Sequence, residues 1–347
     1  MSVNKIKLYT ELSIIPDGLT HTFLLIPFLG DYPVGSDDPD VGRFEELKQN
    51  GSLFYALSDE PKEAHFFLLP FGYSFKEEHQ TIIKAFLKKA EQHAKKTLLF
   101  YNSDDDQSIN HQNVLVYRTS LNKSSKKPYE YALPGWSLDF RFHYKEQRVV
   151  ALEPGGLPGV SYCGYINTET KSLKSYVKKI LGLARDTNET KAKELRGKVC
   201  RVLQSNKRIK TDFIIRLGFW AQGINNKQQA RLEYVNNLMH SVYAIAARGG
   251  GNFSYRFYEI LSCGRIPLFI NTDSVLPFEQ EINYKKHLVW VEEKEINKCD
   301  RLLLQFHQQH SAEELKALQL ANRELYETHL SPLGFFKSLH RHLMKLV

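Results

Sequence analysis

Cysteine is scarce in this chain. There are four among 347 residues, Cys163, Cys200, Cys263 and Cys299, and no two form a Cys-x-x-Cys pair. That spacing excludes a disulfide framework or a zinc knuckle and points to reduced thiols in a reducing compartment. Long apolar runs are missing as well. The best run, Phe23-Leu-Leu-Ile-Pro-Phe-Leu29, is far shorter than a membrane span and contains a proline. No signal-peptide apolar core follows Met1-Ser-Val-Asn-Lys5. Repeats, low-complexity tracts, RNP-type aromatic motifs and zinc-finger spacings are all lacking. The expectation is a cytoplasmic, soluble chain. Its basic tail around Lys337, His340 and Arg341 would allow, at most, peripheral contact with an acidic membrane surface.

The composition is that of a globular protein, with 42% hydrophobic and 25% charged residues. A length of 347 residues suits two domains better than one. The net charge of +8 favours an anionic partner, but the basic residues are scattered and do not choose among nucleic acid, lipid and phosphorylated substrate.

Strand-like and helix-like segments alternate along the first half. Thr22 to Phe28, Ala64 to Pro70, Thr97 to Tyr101 and Val114 to Tyr117 read as strands. Val41 to Gln49 and Ser74 to Lys96 read as helices. The segment Glu153-Pro-Gly-Gly-Leu-Pro-Gly159 breaks the pattern. Alternation then resumes, with strands over Val160 to Tyr165, Phe213 to Leu217, Val242 to Ala247, Ile266 to Ile270 and His287 to Val291. Two helices fall within Thr170 to Gln204, another covers Lys227 to His240, and one starts near Ser254. Ser311 and Glu314 form a capping box, and Ser331-Pro332 opens a last helix with Leu333, Phe336, Leu339 and Leu343 along one stripe. Alternation of this kind predicts α/β domains with mostly parallel sheets.

The chemistry concentrates between Ser241 and Glu259. This stretch reads strand, glycine-rich turn (Gly249 to Gly251), then helix. Unpaired N–H groups and the positive helix end make an anion site there. A dinucleotide fingerprint fits poorly, because Ser254 stands where the third glycine belongs. Arg256 and Glu259 share a helix face. A cation in the first turn and a carboxylate one turn on suit a nucleoside diphosphate, the arginine taking phosphate and the carboxylate the ribose hydroxyls. The plain alternative is an ordinary intrahelical ion pair.

The run Arg248-Gly-Gly-Gly-Asn-Phe-Ser-Tyr-Arg-Phe-Tyr-Glu259, continued by Gly264-Arg-Ile-Pro-Leu268 and Leu276-Pro-Phe278, resembles the signature of the exostosin glycosyltransferases (GT47-type). Arg231, Tyr234 and Ser241 are similar to the stretch that precedes it. Asp59-Glu-Pro-Lys-Glu-Ala-His-Phe-Phe-Leu-Leu-Pro70 resembles the family's N-terminal motif. The resemblance implies a GT-B fold, with two Rossmann-like domains facing a cleft. The corresponding division is an N-terminal acceptor-binding domain over 1–152, a linker over 153–159, a C-terminal nucleotide-sugar-binding domain over 160–328, and a helix over 329–347 that crosses back to the N-terminal domain. It also implies transfer with inversion, without a metal or other cofactor, from a UDP- or GDP-linked sugar to a glycan or glycolipid hydroxyl in surface polysaccharide or glycan synthesis. Ser254 and Arg256 would take the diphosphate and Glu259 the ribose. Arg216, Arg248, Gly250, Gly251 and Asn252 complete the expected donor site, although a structural salt bridge is an equal reading for Arg216.

The family's histidine- and aspartate-rich segment has no clear counterpart here, so the general base must be sought by position. Asp31, beyond the expected strand of Thr22 to Phe28, is the first choice, and Asp139 in Pro134-Gly-Trp-Ser-Leu-Asp139 is another. Asp104-Asp-Asp106 lies at a strand end and could bind a divalent metal, which would mean a metal-dependent transferase of another fold. A surface loop is the plain reading of all three. Trp136 and Trp220 could stack on sugars or fill cores, and His65 reads as a core histidine. A competing function of a different class is a non-catalytic basic protein that binds nucleic acid or anionic polysaccharide. The absence of nucleic-acid motifs and of clustered basic residues argues against nucleic acid as a partner.

Overall fold

The computed structural model describes residues 4–32, 38–166, 187–216, 218 and 227–347. The chain forms two compact units. Unit 1 comprises Met1–Asp139, Asp273–Ile282 and Leu325–Val347; unit 2 comprises Phe140–Thr272 and Asn283–Glu324.

Unit 1 holds a six-stranded, wholly parallel sheet: β1 (Ile6–Tyr9), β2 (Tyr55–Ser58), β3 (Phe66–Leu68), β4 (Thr97–Tyr101), β5 (Val114–Arg118) and β6 (Glu130–Ala132), in the order β2-β1-β3-β4-β5-β6. Alternate residues of each strand face opposite sides, and each side has its own core. Leu8, Leu68, Leu98, Phe100 and Tyr117 join one cluster, while Tyr9, Phe67, Leu99, Tyr101 and Val116 join the other. The first cluster receives residues of α1 (Ile26–Leu29) and α2 (Glu45–Asn50), and the second those of α3 (Glu77–Gln92).

Unit 2 repeats the design with five strands: β7 (Gly159–Tyr165), β8 (Lys210–Arg216), β9 (Tyr243–Ala246), β10 (Ile266–Asn271) and β11 (Val289–Glu292), in the order β11-β10-β9-β7-β8 and all parallel. Its helices are α4 (Asn188–Ser205), α5 (Lys227–Met239), α6 (Tyr255–Ser262), α7 (Cys299–Gln309) and α8 (Ala312–Leu325). The expected capping box is present at the start of α8: Glu314 N–H donates to Ser311 Oγ at 3.2 Å, and Ser311 N–H donates to Glu314 Oε2 at 2.7 Å. Each unit is therefore a doubly wound Rossmann-like domain, and the pair has the composition of the GT-B class. Counted within its own unit, the sheet of unit 2 has the order 2-1-3-4-5, and that of unit 1 has the same order with a sixth strand added after the fifth. In that order the chain reverses direction between the first and third strands, and ligands bind beyond the carboxyl ends at that point.

The last helix, α9 (Pro332–Met344), belongs to unit 1. Phe335, Phe336, Leu339 and Leu343 enter the same core as Ile6 and Leu8, and Tyr55 OH donates to the Phe336 carbonyl at 2.7 Å. Trp136 lies in this core as well, only 5% exposed, with its Nε1–H on the Leu330 carbonyl at 2.9 Å, so it fills space rather than offering a face to a sugar.

Two local expectations change. Thr22 to Phe28 is not a strand: it forms a 3₁₀ turn over Phe23–Leu25 that runs into α1, with Pro27 at the helix start where no N–H is required. The segment 153–159 lies inside unit 2, which begins at Phe140. Hydrogen bonds explain the difference. Gln319 clasps Leu152 through both the N–H and the carbonyl at 2.9 Å each, and His307 Nε2 bonds the Gly155 carbonyl at 3.0 Å. Trp220 and the part of Thr170 to Gln204 before residue 187 lie outside the described residues. Among the described residues no helix is long and apolar enough to cross a membrane.

Candidate active site

In unit 2 the reversal point lies between β7 and β9, and the predicted anion site falls there. The segment after β9 carries the three glycines and leads into α6. Gly249 N–H closes the turn on the Phe253 carbonyl at 3.0 Å. Gly249 does not use a left-handed conformation, and an added Cβ would meet only the Phe253 carbonyl oxygen at 3.9 Å, an ordinary contact. The fold itself thus has no need of glycine here, and the bare backbone is left to a ligand. Gly249→Ala should fold as well as the parent or slightly better, since alanine restricts the unfolded chain. Its donor Michaelis constant should nonetheless rise about tenfold or more, equivalent to about 1.4 kcal/mol. A donor titration with an unchanged constant would show that nothing approaches this backbone.

Ser254 occupies the N-cap of α6 with extended backbone, yet its side chain makes no capping bond. Serine at this position ordinarily caps, so its hydroxyl and the first N–H groups of the helix remain available to an anion.

Arg256 crosses from α6 to the end of β7. Its Nη2 donates to the Cys163 carbonyl at 2.6 Å, and its guanidinium carbon lies 4.4 Å from the Tyr162 ring centre and 5.5 Å from that of Tyr234. Stacking of this kind fixes the plane of the fork. Its Nε has no protein acceptor, so hydrogen-bonding capacity remains. Gly164 makes the crossing possible: a Cβ there would sit 2.7 Å from Arg256 Nη2 and 3.2 Å from the Tyr162 hydroxyl. Gly164 was missed in the sequence, although glycine within a strand is a recognised sign of close approach.

Glu259 does not pair with Arg256. It is 7% exposed, and its carboxylate meets two residues of α5: Arg231 Nη1 at 3.1 Å and the Tyr234 hydroxyl, which donates to the other oxygen. The intrahelical ion pair is thus replaced by a buried interhelical network.

The remaining expected donor residues serve mainly to hold the site together. Arg216 forms the salt bridge weighed for it, with Glu233 Oε2 at 2.6 Å, and also donates to the Ala230 carbonyl at 2.9 Å and to Cys163 Sγ at 3.2 Å. Arg248 folds back on the glycine turn, with Nη2 on the Gly250 carbonyl at 2.9 Å. Asn252 points inward: its amide donates to the Thr272 carbonyl at 2.7 Å and its oxygen accepts the Thr272 hydroxyl at 2.7 Å. The turn is therefore tied to the end of β10. Gly251 is buried within it and Gly250 half-buried.

In unit 1 the candidate bases are separate features. Asp31 accepts the N–H of Tyr32 at 2.7 Å and lies beside His21. Asp139 ends the first segment of unit 1 and is half-buried. Within Asp104 to Asp106, Asp105 accepts the Gln107 N–H, and Asp106 accepts the Asn122 amide at 3.0 Å. Among the described residues no group of three or more His, Cys, Asp or Glu side chains is arranged to hold a metal ion. His65 accepts the Lys7 N–H on Nδ1 at 3.0 Å, a structural contact.

A family model, the exostosin GT47 domain, matches residues 42–306 of this sequence. The chain belongs to the exostosin GT47 family. It is 36% identical over 81 residues to Exostosin-1 of Drosophila melanogaster, an alignment covering 23% of this chain and 10% of that protein. It is 25% identical over 123 residues to an Exostosin-1 homolog of Caenorhabditis elegans, covering 35% and 30% respectively. The chain thus spans less than a third of either relative. Among solved structures it is similar to a glycosyltransferase from Rickettsia africae ESF-5, with a TM-score of 0.39, 11% identity and coverage of 99% and 100%. It is also similar to WaaG, a glycosyltransferase involved in lipopolysaccharide biosynthesis, with a TM-score of 0.36, 10% identity and coverage of 97% and 99%.

The exostosin signature divides by task in this chain. Arg256 reaches the end of β7 at the reversal point, Ser254 stands at the N-cap of α6, and Glu259 is tied to α5. Arg265 is a buried clasp: it donates to the Met239 carbonyl at 2.8 Å and the Val150 carbonyl at 3.1 Å, and its own carbonyl accepts the Asn322 amide at 2.9 Å. Leu276-Pro-Phe278 belongs to unit 1, where Phe278 packs on Phe335 with ring centres 5.2 Å apart.

Proposed function

We propose that this exostosin-family chain is an inverting, metal-independent glycosyltransferase. It moves a sugar from a UDP- or GDP-linked donor to a hydroxyl of a glycan or glycolipid. The observation that carries the reading is Arg256, a stacked guanidinium held at the end of β7 beside an uncapped helix N-terminus with a free serine hydroxyl. Such a site binds a diphosphate. It binds still better as negative charge gathers on the diphosphate leaving group, because the fork and the helix end are already in place. Glu259, oriented by Arg231 and Tyr234, accepts the ribose hydroxyls.

With the Arg256 guanidinium and the helix end at the leaving group, a divalent ion is not required. Turnover should therefore survive EDTA. The experiment is a donor panel with glycan acceptors, read by released nucleoside diphosphate with and without chelator. Activity abolished by EDTA and restored by manganese would move the leaving-group chemistry to a metal site such as Asp104 to Asp106. A panel without transfer, together with binding to nucleic acid, would favour the basic binding protein. The four buried free thiols suit a reducing compartment, and on that basis we place the reaction in the cytoplasm.

A further inference from the structure

We infer that His21 is the general base of the transfer, accepting the acceptor hydroxyl proton on Nδ1; this rests on the inverting reaction proposed above. Up to its sixth strand, unit 1 has the same strand order as unit 2, so its reversal point lies between β1 and β3. His21 pairs with Phe71 in an isolated antiparallel bridge just beyond β3, and Thr22 N–H donates to the Pro70 carbonyl at 2.8 Å. From the β1 side, Thr10 Oγ1 reaches the Leu68 carbonyl at 2.9 Å. The imidazole thus stands at the carboxyl-end crevice where a doubly wound domain binds its ligand.

His21 Nε2 lies 2.9 Å from the Gly30 carbonyl oxygen. A carbonyl only accepts, so Nε2 carries the proton, and in the neutral ring the basic lone pair is on Nδ1. No protein donor among the described residues hydrogen-bonds to Nδ1. Gly30 directs its carbonyl from φ +92 and ψ 179, a conformation that side chains other than glycine's rarely adopt. The Tyr32 ring meets the imidazole edge-on, with centres 5.1 Å apart. A base pinned through one nitrogen, with the other open, is the arrangement that proton abstraction needs.

Burial pushes the His21 imidazole below its ordinary pKa, and the nearby Asp31 acts in the opposite direction. The ring is therefore neutral at pH 7, and Asp31 stabilises the imidazolium once it forms. Arg43, whose charge acts on the neighbouring Tyr32, pairs with Asp40 at 3.7 Å. Asp31, the expected base, becomes the supporting carboxylate. In the step itself, the acceptor O–H proton passes to Nδ1 as the oxygen bonds to the anomeric carbon. The bond from that carbon to the diphosphate oxygen breaks on the opposite face, and its electron pair leaves with the nucleoside diphosphate.

The test is His21→Gln, whose amide N–H can still reach the Gly30 carbonyl. The melting temperature and the stabilisation by bound nucleotide should match the parent, while kcat falls about 10²- to 10⁴-fold, the usual contribution of a general base. A kcat near that of the parent would overturn the assignment and leave His21 as a loop tie. Asp31→Asn, with His21 intact, is the second variant. It should lose about tenfold or less, since it removes only a supporting charge, and a loss as large as expected for His21→Gln would make Asp31 the base. Loss of nucleotide stabilisation in the parent chain is a different result: it contradicts the transferase reading, not the choice of base.

Discussion

Glu259→Ala should destabilise unit 2 by about 3–5 kcal/mol, because it breaks a buried ion pair by removing one partner. The two side chains are only 9% and 8% exposed and meet at 3.1 Å, so solvent screens the pair little. For a unit of this size each kcal/mol lowers the melting temperature by about 2–4 °C, giving a fall of about 6–20 °C. Glu259→Gln separates folding from function. It keeps the shape and an acceptor for one donor, so its stability loss should be nearer 1.5–3 kcal/mol, the range for hydrogen bonds to a charged group. Its donor Michaelis constant should rise at least about tenfold if the carboxylate also holds the ribose. Thermal melts and donor saturation on both variants check this. A stable Glu259→Ala would contradict the buried network. An unstable Glu259→Gln with normal donor kinetics would make the residue purely structural.

Arg256→Ala should have the largest effect on activity. It removes the charged fork at the diphosphate, where each charge-assisted hydrogen bond contributes about 1.5–3 kcal/mol. Donor affinity should fall about 100-fold or more, and kcat/KM further, because the leaving-group charge is greatest in the transition state. Arg256→Lys should recover only part of this. An ammonium cannot stack flat on Tyr162 while spanning to the Cys163 carbonyl and a phosphate. Gly164→Ala should reproduce part of the Arg256→Ala defect without touching the arginine, since the new methyl group occupies its path. Steady-state kinetics on the three variants should rank Ala as the worst. Parental kcat/KM in Arg256→Ala would remove this residue from the reaction.

How far such a site can be seen in a sequence depends on how local its contacts are. The glycine turn, Ser254 and Arg256 lie within eight residues, so a strand–turn–helix pattern was enough to mark an anion site. The network on Glu259 was not visible in the same way: Arg231 and Tyr234 lie 28 and 25 positions away, and no local pattern shows which helix packs on which. Asn252 illustrates a further limit, since a polar residue in a ligand-binding turn can face the ligand or, as here, the fold. Long elements were legible, and α3 and β4 fall within the segments expected. β1, β2 and β6 were not: they are three or four residues long and interrupted by polar residues such as Lys7, Ser58 and Glu130, whereas the equally short β3 lies in the apolar run Phe66 to Leu69. The run from Thr22 to Phe28 misled for a related reason, since a short, wholly apolar segment looks the same whether strand or buried helix. His21 gave no signal as a candidate base, because its place and its tautomer both come from backbone groups of distant or irregular segments.

The proposed transfer depends on diphosphate binding at Arg256. The most direct measurement is the melting temperature of the parent chain and of Arg256→Ala, each titrated with free UDP and GDP. One nucleotide should stabilise the parent by about 2.7 kcal/mol at 100 times its dissociation constant, and that stabilisation should be lost at the same concentration in the variant. A parent that responds to neither nucleotide, or a variant that responds as strongly as the parent, would contradict it.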